Sequence, residues 1–200
     1  ALPLGAWGAA SFGAVAVVLA VASRLGRLRV AGVLAVITGL VALASLGAWV
    51  GALPIVSASF GSYPLGAASV SLAGLAAAAP VSLMRAWRPA ELLVLRIAAA
   101  GAAALEVLRI AFVSSASVVD VVLLGAIALF VVAAAAGLRS DAARGTDHSR
   151  VVWSSAFGAL GAAALAVVPG ATARTLSFAG ARDVGLIGAA AVSYTHLRAH

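Results

Sequence analysis

Residues 118–138 read VVDVVLLGAIALFVVAAAAGL, with one ionisable side chain, Asp120, in 21 positions and Arg139 directly after them. Apolar side chains occupy every helical face of this stretch, so it shows neither the one-sided stripe of a surface helix nor the alternation of a half-buried strand. A helix that is apolar all round must be surrounded by apolar matter. About 20 residues at 1.5 Å each also match the roughly 30 Å of hydrocarbon in a bilayer. The stretch therefore reads as a transmembrane helix, and lipid rather than water is the solvent to reason with.

Working outward, the same pattern recurs at residues 2–23, 30–52, 65–84, 92–113 and 151–168, the last closed by Pro169 and Gly170. A further run begins at Val184. The expectation is an all-α integral membrane helical bundle with six complete transmembrane helices and the truncated start of a seventh. Pro80 falls inside the third run, where it removes a backbone donor and predicts a kink. Gly47 and Gly51 form a GxxxG pair in the second run, a spacing that lets helix backbones approach closely. Trp7, Trp49, Trp87 and Trp153 fall near the ends of runs, as interfacial anchors do.

Composition supports the same class. With 64% hydrophobic and 10% charged residues and a mean hydropathy of +1.16, the chain departs from soluble domains, which average roughly 45–50% apolar and about 25% charged. It has no Cys, which excludes disulfides, thiolate metal sites and thiol nucleophiles together. All 13 basic residues are Arg, giving a formal net charge of +7. They stand in short gaps rather than in a stripe interleaved with aromatics, so nucleic acid is not the expected partner; anionic lipid headgroups are. From the first gap to the sixth, the Arg count runs three, none, two, none, three, two. Cytoplasmic loops hold the excess of basic residues. Gaps one, three and five are thus expected inside and Ala1 outside, in a bacterial inner membrane, with only the sixth gap dissenting.

One run holds ionisable groups deep enough to weigh. Residues 92–113 contain Arg96, Glu106 and Arg109, and a charge near mid-bilayer costs at least about 2.5–3.5 kcal/mol on insertion scales. Glu106 is too deep and too short to reach water, whereas Arg96 and Arg109 lie nearer their faces and can snorkel. Glu106 and Arg109 are three apart and share a helix face, and Asp120 can approach Arg109 across the polar turn at residues 114–117. The expectation is an intramembrane charge cluster of Glu106, Arg109 and Asp120. It reads either as a structural ion pair or as a proton or cation site in a transport path. His148, beside Asp147, reads as a solvated loop residue rather than a metal ligand. No Gly-rich phosphate loop, zinc-type spacing or nucleophile elbow is present, so no catalytic residue and no cofactor is expected.

The runs at 118–138 and 151–170, joined by an Arg-rich loop, resemble the large multi-pass membrane proteins of unassigned function found in actinobacteria. The resemblance implies a membrane bundle and transfers no site. The final nine residues, VSYTHLRAH at 192–200, are similar to a translated transposon-end sequencing adapter and are set apart from the native sequence. This divides the chain into a transmembrane domain at 1–191, read as an internal piece of a longer protein, and a tail at 192–200. A structural or assembly role in the membrane is the first expectation, with helix–helix partners or a second copy as its contacts. A permease resting on Glu106 and Asp120 is second. The membrane subunit of an enzyme whose catalytic part lies outside this stretch is third.

Overall fold

The computed structural model describes residues 2–26, 29–53, 63–84, 86–112, 116–142 and 148–175. Among the described residues seven helices follow in order: α1 Leu2–Gly26, α2 Arg29–Gly51, α3 Tyr63–Ala76, α4 Ala78–Val81, α5 Pro89–Phe112, α6 Val118–Ala142 and α7 His148–Thr175. No strand occurs among the described residues. The long helices are rich in Ala and Leu, strong helix formers; their apolar β-branched residues are divided between the core, as at Ile110, Ile127 and Val131, and the exposed faces, as at Val17, Val18 and Val122.

The starts of α5 and α6 are written locally. Pro89 takes the first helical position, where its missing N–H costs nothing. The carboxylate of Glu91 reaches back to accept the Arg88 N–H at 3.0 Å. At α6, the Ser117 hydroxyl accepts the Asp120 N–H at 3.1 Å while Asp120 Oδ2 accepts the Ser117 N–H at 2.8 Å. This reciprocal pair is a capping box, satisfying two donors that the helix itself leaves unpaired.

Small residues set the helix spacing. α1 runs antiparallel along α2, with Gly8 facing Ser45, Gly39 facing Ala16 and Gly32 facing Ser23. α2 lies against α3 where Gly47 has no room for a side chain: a Cβ there would stand 2.6 Å from Ser71 Cα and 2.8 Å from Ser71 N. Ser71 Oγ donates across that contact to the Ala44 carbonyl at 2.9 Å. α6 and α7 form a second hairpin, closed where Gly161 meets Val131 and Val132. α5 is the hub, packing against α2, α3, α4, α6 and α7.

The run at 65–84 is helical to Val81 with a one-residue interruption: α3 ends at Ala76, Ala77 keeps helical backbone angles with its N–H on the Ala73 carbonyl at 3.2 Å, and α4 resumes at Ala78. Pro80 explains the position, since its ring clashes with the carbonyl four residues earlier, that of Ala76, and offers it no N–H. Conversely, the last run does not stop at Pro169, because α7 continues to Thr175. Pro169 faces outward, while Val167, Val168 and the fully buried Ala171 pack into an apolar cluster that holds the final turns in place. Among the described residues, four helices are each long and apolar enough to cross a membrane, namely Ala6–Gly26, Arg29–Gly51, Val118–Ser140 and His148–Ala173. α3 and α4 are individually short, and α5 has the length but carries Glu91, Arg96, Glu106 and Arg109. The run from Val184 and the tail at 192–200 lie outside the described residues.

The ends of the bundle differ in charge. Arg24 and Arg88 meet where α1 approaches the start of α5, through Arg24 to the Ala86 carbonyl and Arg88 to Ser23. α6 brings Arg139 to the same end, since Gly137 packs on Leu83. The opposite end holds Gly47, Ser69 and, bonded together, Glu106, Arg109 and Asp120. Trp87 and Trp153 are not simply outward anchors: both pack partly into the core, and Trp87 Nε1 donates to the Val81 carbonyl at 2.9 Å.

Candidate buried charge cluster

Glu106 sits six residues before the end of α5, roughly 9 Å along the helix from Phe112 at 1.5 Å per residue, and its side chain is fully buried. Arg109 lies one turn further on the same face. Its Nε donates to Glu106 Oε2 and its Nη2 to Oε1, both at 2.8 Å. This two-pronged contact matches the planar guanidinium to the planar carboxylate and is the strong form of the interaction.

Nη2 also bonds Asp120 Oδ1 across the turn into α6. Arg109 is therefore turned inward rather than snorkelling, with its side chain only 16% exposed. Asp120 has two further sources of donors. Ser69 of α3 donates to Oδ1 at 3.3 Å, and Ser117 donates its hydroxyl at 2.9 Å and its N–H at 2.8 Å to Oδ2. Each of the four carboxylate oxygens accepts at least one hydrogen bond. The Nη1 atom of Arg109 is buried and has no hydrogen-bond partner among the described residues. Three helices, α3, α5 and α6, are thus tied at one point by one cation and two anions.

The structure brings together all three residues singled out from sequence, and adds Ser69 and Ser117. Ser117 carried a legible signal, the S-x-x-D spacing that opens a helix. Ser69 carried none, because only the packing of α3 against α6 brings it near Asp120. Arg96, expected to reach outward, is 7% exposed and lies within α5's buried face. His148 is exposed at the start of α7.

A second charged group lies at the other end of α5. Glu91, 2% exposed, is 3.7 Å from Arg24 of α1, and Arg88 bonds the Ser23 hydroxyl and carbonyl at 3.2 Å each. Gly32 makes this possible: a Cβ there would stand 2.2 Å from Glu91 Oε1 and 2.8 Å from Ser23 Oγ. Sequence reasoning placed Arg24, Arg88 and Glu91 in the gaps between runs and missed the contact.

Chemically, the Glu106–Arg109–Asp120 arrangement can hold helices in register. Comparison of the chain with family models, with curated proteins and with solved structures gave no match.

Proposed function

We propose that this chain is a multi-pass integral membrane protein with a structural or assembly role, in which Glu106, Arg109 and Asp120 lock the bundle together. The observation that carries the membrane reading is an inverted distribution of polarity. Large apolar side chains face outward on every long helix, among them Leu25 at 82%, Phe112 at 83% and Leu129 at 71% exposure. Glu91, Arg96, Glu106 and Asp120 are meanwhile buried. In water such a surface would aggregate; in lipid it is the only arrangement that avoids exposing charge to hydrocarbon.

On this reading α5 is also a span, its charges hidden by its central place, and α3 with α4 forms one interrupted span, giving six. The Arg-bearing end faces the cytoplasm of a bacterial inner membrane and the start of α1 lies outside, following the excess of basic residues on one side. The structural role is supported by the pairing of every carboxylate oxygen: both Glu106 oxygens accept from Arg109, and the Asp120 oxygens accept from Ser69, Arg109 and Ser117.

A permease is the second reading, favoured by one observation: two carboxylates share one guanidinium. Reconstitution in vesicles separates the two. The structural reading expects no proton flux under an imposed pH gradient, and a lowered thermal midpoint in detergent for Glu106→Gln. Flux that is present in the parent protein and lost in a folded Glu106→Gln protein would establish the permease instead.

A further inference from the structure

An apolar groove runs along α2 from Gly32 to Leu43, walled by Ala16 and Ala20 of α1 on one side and by Leu95 of α5 on the other. It exists because α1 packs along α2 and, among the described residues, meets the other helices only at its Arg-bearing end. Eleven residue steps of helix make the groove roughly 16 Å long. Its volume is about 340 Å³, and its elongated, apolar shape suits an extended hydrocarbon chain.

The groove ends at Ser23, Arg24 and Glu91. Arg24 is half-exposed there, and Arg88 is half-buried beside Ser23. Arg24 faces the Glu91 carboxylate and Arg88 holds it through its N–H, so two cations stand around one anion, with Arg29 exposed one turn before Gly32. The mouth of an apolar slot thus carries excess positive charge at the end of the bundle where its Arg residues gather.

We propose that the groove binds one acyl chain of an anionic phospholipid, with the phosphate held by Arg24 and Arg29. The proposal rests on the membrane reading above. Native mass spectrometry of the whole chain, released from detergent after addition of phosphatidylglycerol or phosphatidylcholine, tests it. Phosphatidylglycerol is expected to be retained in preference to phosphatidylcholine. Arg24→Gln should reduce that preference about fivefold, the scale of one Arg near an anionic headgroup. Ala20→Phe, which fills the groove from an exposed position, should abolish retention, whereas Val18→Phe, outside the groove, should leave it unchanged.

Equal retention of the two lipids, or retention insensitive to Ala20→Phe, would overturn the site. A lipid-free dimer whose dissociation follows Ala20→Phe would assign the groove to a second copy instead. Failure of the underlying reading looks different: the chain would then stay monodisperse without any detergent, whereas a detergent-dependent chain that keeps no phosphatidylglycerol refutes the lipid site alone.

Discussion

Arg109 is the residue on which two buried anions depend, and its removal should cost more than the removal of either partner. Arg109→Leu leaves Glu106 and Asp120 buried with no cation, a situation that typically costs about 3–5 kcal/mol. Glu106→Gln keeps an acceptor for the guanidinium and leaves a one-to-one pair with Asp120, so a smaller loss is expected. Combining Glu106→Leu, Arg109→Leu and Asp120→Asn removes the charges together, and most of the stability lost in Arg109→Leu should return, as when apolar residues replace a whole buried ion network. Thermal unfolding in one detergent ranks the three proteins; a combined variant no better than Arg109→Leu would refute the account. Gly47 supplies an independent test of close approach. Gly47→Ala drives a Cβ to within 2.6 Å of backbone rather than of a flexible side chain, so the overpacking range of about 1–3 kcal/mol applies. Gly125→Ala, with no atom within 4 Å of the new Cβ, should be neutral in the same assay. Much of this site was legible because Glu106 and Arg109 are three apart on a helix and Asp120 follows a short turn. The inward turn of Arg109, the burial of Arg96 and the help from Ser69 were not, since they depend on which helices surround α5.

At the scale of elements, the caps and the two prolines carry the lessons. Ser117 begins α6 and also donates to Asp120, so Ser117→Ala removes a cap and one support of the ion cluster together. A loss within the usual 0.5–2 kcal/mol range for cap removal is expected, with faster hydrogen exchange at residues 118–121 but not at the start of α7. Uniform acceleration over both helices would mean a global effect rather than a cap. The helices themselves were readable from runs of apolar residues of bilayer length, and the start of α6 was placed to the residue. Pro80 was read as a kink inside its run and Pro169 as the close of another, yet the helix runs through Pro169 to Thr175. The interruption before Pro80 is confined to Ala77, and the turns around Pro169 are held by the buried Ala171 and its neighbours. A proline's local cost is visible in sequence, but the packing that offsets it is tertiary.

For the whole molecule, the sorting of arginines between the ends of the bundle turns orientation into a measurable property. Gaps one, three and five were distinguished in sequence by Arg content alone, and Arg24, Arg88 and Arg139 are carried to one end by the antiparallel packing of α1 on α2 and by the contact of α6 with Leu83. Basic residues resist translocation, so this end should face the cytoplasm and the neutral gap containing Ser57 should face outward. The chain lacks Cys, so single cysteines can be introduced on an unmodified background. Ser140 is exposed beside Arg139. Ser140→Cys should react with a membrane-impermeant maleimide only after the cells are opened, and Ser57→Cys should react in intact cells. Reversed labelling would invert the orientation while keeping the spans. Labelling of both positions from one side would instead require an even number of crossings between them, and with it a different role for α3, α4 or α5.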